Sequence, residues 1–361
     1  MKILLCISTL QSGGAEKNIS ILANLLTKKK YEVTILTFDK KKGKPFFFLD
    51  KRINVVNLNL LKKSDNILSS IQNFIIRARL IRKLVVQGKF KYFISYINTM
   101  NITMLISTAF LKIKKIISDR NNPYYSRNSI LIKILKIIFY RNADRLIIQT
   151  KQSIFFYWFI NKKKISIINN FFNQNFGVKK KYKLAKKIKI IVVSKIEKQK
   201  GIELLVNSLI KIKKKYNFQC DIYGKGNLFF QIKKIINQNK MSDSIYLKKT
   251  HNLKNIYKKY DLYILSSYYE GYPNSLVEAM ITGLPVISSS CDYGPKEIIS
   301  NKIDGILFKV GSQLDLIKKI ESLINNYSFA AKLGQKAKLN YNSVIINNNN
   351  LKKWLNILKK K

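Results

Sequence analysis

The sequence predicts an α/β fold made of two doubly wound parallel sheets, and three observations predict it. Strand-length apolar runs alternate with helix-length segments along nearly the whole chain. Runs such as 262–265, Leu-Tyr-Ile-Leu, are apolar throughout rather than at every second residue, which marks strands covered on both faces. The pattern restarts after a Lys-rich stretch at 179–189, and 361 residues exceed one ordinary core.

In chain order, the first half should carry strands at 2–9, 31–38, 53–58, 92–97, 115–118, 146–149 and 165–169. Helices should fill 18–29, 67–87, 102–110 and 129–140; the first of these sets Ile19, Leu22, Ala23 and Leu26 on one face. The second half should carry strands at 188–193, 218–223, 244–247, 261–267 and 284–288, and helices at 201–213, 228–237, 276–282, 314–324 and 329–339. The Asn run 347–350 reads as a helix entry or loop, followed by a helix face of Leu351, Trp354, Leu355 and Leu358. The expected division is a first domain at 1–178 joined by the C-terminal helix 342–361, a linker at 179–187, and a second domain at 188–341.

Lys and Arg number 68 against 19 acids, for a formal charge of +49. Residues 1–180 carry net +27 and residues 181–361 net +22, so the excess is spread and not gathered into a patch that would read nucleic acid. Abundant Lys, Ile and Asn fit an AT-rich coding sequence, so the charge divides between compositional drift and a real anionic partner. Three distant cysteines, Cys6, Cys220 and Cys291, have neither zinc nor disulfide spacing and fit a reducing compartment. The short first apolar run leads into a glycine turn, unlike a signal peptide, and no 18-residue apolar run occurs. A cytoplasmic protein, free or peripheral on the inner face of the plasma membrane, is the expectation.

The most informative stretch runs from Glu270 through Gly271, Tyr272, Pro273, Asn274 and Ser275 to Glu278. A strand ends there, a Gly/Pro loop turns and a helix begins, which is where open α/β sheets hold ligands. Two carboxylates eight residues apart can bond the hydroxyls of one polyhydroxylated ligand, while the helix N-terminus offers N–H groups to a phosphate. Ser275 and Glu278 also fit a structural capping box, with Ser275 as N-cap. The whole segment, through Gly283-Leu284-Pro285, resembles the E-x7-E region of retaining glycosyltransferases of the GT-B fold, family four, also called glycosyltransferase group one. The resemblance covers nearly the whole chain and is more specific in its second half. It implies two facing Rossmann-like domains with a deep cleft between them and a C-terminal helix crossing back to the first.

Ser194-Lys195-Ile196-Glu197-Lys198-Gln199-Lys200-Gly201 resembles that family's G-R-L-x-x-x-K-G, where Arg and Lys hold the donor diphosphate. Lys200 and Gly201 match; Ser194 replaces Gly, and Lys195 replaces Arg, keeping the charge and losing the bidentate fork. Gly13-Gly14-Ala15-Glu16 resembles the family's G-G-A-E start, and Gly224-Lys225-Gly226 its G-x-G turn, though both also serve as tight turns. Asp119 and Arg120 end a first-domain strand near where many relatives carry a donor-contacting histidine. The single histidine, His251, and Leu253 fall in a loop that lies near the nucleobase in the family.

The resemblance therefore implies transfer of a hexose or N-acetylhexosamine, with retention, from a nucleotide-sugar (most often UDP) to a glycan or polyprenyl-linked acceptor in surface-glycan synthesis. Glu270, Lys200 and Lys195 would be catalytic; these three with Gly13, Gly14, Gly224, His251, Leu253, Gly271, Tyr272, Pro273, Asn274, Ser275 and Glu278 would bind the donor, and Glu16, Asp119 and Arg120 would lie on the acceptor side. No Asp-x-Asp occurs, so no cofactor or metal is expected and lysines must meet the phosphate charge. The basic, apolar-faced helix 129–140, flanked by Arg127, Arg141 and Arg145, can lie on an anionic membrane. A GT-B-fold epimerase acting on UDP-sugar and a basic nucleic-acid-binding protein are the alternatives.

Overall fold

The computed structural model describes residues 1–40, 44–61, 67–125, 130–172, 176–184, 186–249 and 255–359, the side chains of 67–70 excepted. The chain divides into two compact units, Met1–Phe171 with Asn347–Lys361, and Phe172–Ile346.

The first unit runs β1 (Lys2–Cys6), α1 (Gly14–Lys28), β2 (Glu32–Thr37), β3 (Asn54–Asn57), α2 (Ile67–Gly88), β4 (Tyr92–Tyr96), α3 (Asn98–Ser107), β5 (Lys114–Ser118), α4 (Ile130–Phe139), β6 (Arg145–Ile148) and β7 (Ile165–Ile167). Its strands form one parallel sheet in the order β3-β2-β1-β4-β5-β6-β7. The second unit runs β8 (Ile188–Val193), α5 (Ile202–Ile212), β9 (Phe218–Tyr223), α6 (Phe229–Gln238), β10 (Ile245–Lys248), β11 (Leu262–Leu265), α7 (Asn274–Ile281), β12 (Val286–Ser289), α8 (Pro295–Ile298), β13 (Ile306–Phe308), α9 (Gln313–Asn325) and α10 (Tyr327–Asn340), and α11 (Ser343–Lys359) closes the chain. Its sheet is also parallel, in the order β10-β9-β8-β11-β12-β13.

Each sheet is covered on both faces, which is why its strands read as unbroken apolar runs. In the first unit α1 and the Trp354 and Leu358 face of α11 pack on one side, and Ile81, Val85, Met104 and Tyr140 from α2, α3 and the turn after α4 pack on the other. The two parallel α/β units are the expected fold class.

Local details differ from expectation. The three-residue strand β13 is too short to carry a pattern. The Asn run lies inside α11, where Asn347 and Asn350 are buried and Asn350 donates to the carbonyls of Asn169 and Asn170. The Asn350 amide satisfies these two carbonyls, so a polar residue is accommodated on the buried side of the helix. The Lys-rich stretch does not hang free either. Lys179 is buried, with its Nζ 2.6 Å from the Tyr260 carbonyl and 3.3 Å from Asp261.

Helix α4 forms where expected, but Lys136 points inward from it. Its side chain is 2 % exposed and its Nζ lies 2.6 Å from Asp119. Lys136 therefore cannot belong to a solvent-facing basic surface, and the exposed side of α4 is largely apolar instead, with Ile130, Leu131, Ile134 and Ile138. Arg127 lies outside the described residues. Among the described residues no helix is long and apolar enough to cross a membrane.

Candidate functional site

In the second unit β8 and β11 are sheet neighbours although β9 and β10 separate them in sequence, so the strand order reverses between them. The loops leaving their C-terminal ends diverge at such a point and open a crevice. These are the loops at 194–201 and 266–273 that the motifs occupy.

Backbone and side-chain bonds stitch the two loops together. The Tyr268 N–H donates to the Gln199 carbonyl at 2.8 Å, Gln199 Nε2 donates to the Tyr269 carbonyl at 2.8 Å, and Ser266 Oγ donates to the Lys200 carbonyl at 3.0 Å. Gly201 sits at φ +59°, and a Cβ there would lie 2.2 Å from the Ser266 carbonyl oxygen, so only glycine allows this approach.

The stitching delivers Lys200 to Glu270. Lys200 Nζ donates to both carboxylate oxygens, at 2.7 and 2.9 Å, and Ser267 Oγ donates to Glu270 Oε1 at 2.6 Å. Glu270 is 4 % exposed, and the Lys200 side chain is 18 % exposed. A carboxylate fixed from two sides in partial burial is preorganised, and its partner cation remains within reach of solvent. Behind them the Cys291 thiol donates to the Ser267 carbonyl at 3.2 Å, and burial pushes its pKa up to about 11.

Lys195 is not brought to this pair. Its side chain is exposed, 4.0 Å from Glu197. The neighbouring turn is close-packed, since a Cβ on Gly224 would fall 1.8 Å from the Ser194 carbonyl oxygen and one on Gly226 2.2 Å from that of Ile196. Gly224 thus holds the Lys195 loop against β9. Gly271, Tyr272 and Pro273 lead into α7, and the turn at Gly294 (φ +84°) packs on them.

The capping box is absent. Helix α7 begins at Asn274 with Pro273 as its cap residue, and no side chain caps it. Ser275 is the second residue of the helix, two positions past the cap, and its hydroxyl shares a 2.8 Å hydrogen bond with the Tyr263 hydroxyl. Glu278 is buried and accepts from the Tyr257 hydroxyl at 3.0 Å instead of reaching back along the helix. The N-terminus of α7, with its positive dipole end, follows directly on this loop. Tyr257 went unnoticed in the sequence because it sits alone in a short basic run with no motif around it. His251 and Leu253 lie outside the described residues.

In the first unit the order reverses between β1 and β4. Beside that point Gly13 precedes α1, Gly14 opens it, and the Glu16 carboxylate folds back over Gly13, where a Cβ would meet it at 2.0 Å. Ile97, after β4, holds φ +75°, a conformation rare for a β-branched residue.

Asp119 turns into the core, accepting from Lys136 Nζ and from the Tyr157 hydroxyl. The Arg120 guanidinium is buried, donating to Ser118 Oγ at 2.8 Å, Asn170 Oδ1 at 2.6 Å and the Tyr96 hydroxyl at 3.0 Å. Burial lowers its pKa, while the neighbouring Tyr96 and Asp119 act the other way. Among the described residues no group of three or more His, Cys, Asp or Glu side chains is gathered as a metal site.

Comparison with known proteins adds to this geometry. Residues 175–340 match the family model described as glycosyl transferases group 1. A GalNAc-alpha-(1->4)-GalNAc-alpha-(1->3)-diNAcBac-PP-undecaprenol alpha-1,4-N-acetyl-D-galactosaminyltransferase of Campylobacter jejuni is 26% identical over 341 residues, 94% of this chain and 93% of its own length. Two solved structures share the fold at low identity. The sucrose-phosphate synthase of Thermosynechococcus elongatus superposes with TM-score 0.86 at 14% identity, covering 99% of both chains. An Anabaena protein in complex with UDP and glucose superposes with TM-score 0.79 at 14% identity, covering 99% of this chain and 100% of its own.

Proposed function

From the premise that the chain is a glycosyltransferase of the GT-B fold whose residues 175–340 belong to the glycosyl transferases group 1, we propose that it moves a hexose or N-acetylhexosamine from a UDP-sugar to a polyprenyl-linked or other glycan acceptor of surface-glycan synthesis, with retention of configuration and without a metal. The observation that carries the reading is the Lys200–Glu270 pair at the point where the second sheet reverses. UDP is the ligand of the Anabaena protein, and a polyprenyl diphosphate-linked glycan is the acceptor in the name of the Campylobacter relative; both support the choice of substrates.

In this reading the sugar–phosphate bond of the donor breaks toward an oxocarbenium-like state. Charge grows on the diphosphate, where Lys200, Lys195 and the N-terminal end of α7 stabilise it. An ammonium has three hydrogens, and Glu270 takes two, which leaves one for a phosphate oxygen. Glu270, fixed by Lys200 and Ser267, orients the hydroxyls of the transferred sugar, with backbone N–H groups of Gly271 to Asn274 beside it. Glu278, held by Tyr257, takes the ribose diol. The departing diphosphate oxygen accepts the acceptor's proton, so no separate base is required.

A thermal-shift screen against UDP-, GDP- and ADP-sugars tests the donor. A rise in melting temperature with UDP-sugars, lost in Glu278→Ala, is expected, whereas stabilisation by GDP- or ADP-sugars alone contradicts the assignment.

A further inference from the structure

Helices α2, α3 and α4 cover one face of the first unit's sheet, with α3 packed between the other two and almost wholly buried. Among the described residues both α2 and α4 keep large aliphatic side chains exposed. Helix α2 exposes Ile71, Ile75, Ile76, Leu80 and Val86, and α4 exposes Ile130, Leu131, Ile134 and Ile138. An aqueous surface rarely carries so many large aliphatic side chains together without a partner. The charges among them have one sign. Arg79 and Lys83 on α2, Lys133 on α4 and Arg141 just after it are exposed, and neither helix contains an acidic residue. All eight arginines of the chain fall between Arg52 and Arg145.

We propose that this α2–α4 face is a docking surface for an anionic lipid bilayer, with the isoleucines entering the acyl boundary and the arginines and lysines meeting the headgroups. Aliphatic side chains fringed by cations match that chemistry on both counts. A second copy of the chain is a poor occupant, because two faces with only positive charges repel. The docking helix is also tied to the candidate acceptor side. The inward Lys136 of α4 bonds Asp119, the residue before Arg120 at the end of β5, so a bilayer seated on α4 lies one helix away from those residues.

The inference deepens the proposed transfer to a lipid-linked acceptor, and its test is independent of catalysis. Flotation is measured with vesicles of equal phosphatidylglycerol and phosphatidylcholine, and with phosphatidylcholine alone, near physiological salt. The wild-type chain should bind the anionic vesicles preferentially. The exposed-site variant Ile75→Gln, Ile76→Gln, Ile134→Gln and Ile138→Gln should need roughly tenfold more lipid or worse for half binding. A second variant, Arg79→Gln, Lys83→Gln, Lys133→Gln and Arg141→Gln, should weaken binding by at least about as much.

The control replaces four exposed lysines of the second unit, Lys211, Lys214, Lys233 and Lys234, by Gln and should bind nearly as the wild type does. Equal losses in the control mean diffuse charge and overturn the proposal. So does undiminished binding by the isoleucine variant. A wild-type dimer that the isoleucine variant splits, with no vesicle binding by either, overturns it in favour of self-association. Vesicle binding by a chain that transfers no sugar from any UDP-sugar counts against the reaction alone.

Discussion

Lys200 and Glu270 form one unit, and removing either leaves the other's charge in partial burial. Lys200→Met should therefore destabilise the fold by about 1–3 kcal/mol, through a buried carboxylate left with fewer donors. Adding Glu270→Gln to Lys200→Met should recover part of that loss, because no unpaired charge remains. Urea denaturation of the two single variants and the double variant measures the coupling, and strict additivity would mean that the pair is not a unit.

The cysteines give a second check at this scale. All three are buried, burial raises the thiol pKa of each, and Cys291 reaches about 11. A raised thiol pKa keeps the proton on the folded chain while the unfolded chain loses it near the ordinary value of about 8.5. The sign is that stability is full below that value and declines as pH rises toward the folded pKa. A thiol reagent at about pH 8 should accordingly label the unfolded chain and leave the native one nearly unlabelled. Rapid native labelling would place a thiolate where the structure has a buried thiol.

At the scale of elements, the close approach of the two stitched loops depends on a glycine as well as on the ion pair. Gly201→Ala forces a side chain into φ +59° and against the Ser266 carbonyl, so it should lower stability by more than about 1 kcal/mol and weaken donor binding with it. Wild-type stability in that variant would mean that the loops do not approach this closely.

This is also the scale at which sequence reading succeeds and fails. Periodicity and unbroken apolar runs are long-range averages, so they locate β8, β11 and α7, and with them the crevice. Single side chains escape such averages. Ser275 and Glu278 have cap spacing, yet the helix starts at Asn274, and their partners, Tyr263 and Tyr257, come from other elements. Lys136 is one lysine among many in the sequence, and only the buried carboxylate of Asp119 explains why it turns inward. Lys200 and Glu270 both stand out in the sequence as candidate site residues, but their bond depends on loops 70 residues apart.

For the whole molecule, a formal charge of +49 implies strong self-repulsion in any compact state. Raising sodium chloride from about 0.05 M to about 0.5 M shortens the screening length more than twofold and should raise the melting temperature. An unchanged or lower melting temperature would mean that local ion pairs outweigh the net charge.

The central claim is that the Lys200–Glu270 site drives sugar transfer from a UDP-sugar, and the rate of labelled sugar transfer to a polyprenyl diphosphate-linked glycan, by the wild type and by Glu270→Gln in the presence of a chelator, tests it most directly. The account predicts transfer by the wild type that the chelator does not abolish. It predicts a fall on the order of 10²–10³ in Glu270→Gln with the fold intact. A folded Glu270→Gln enzyme working near the wild-type rate, or wild-type transfer that vanishes with the chelator, would contradict it.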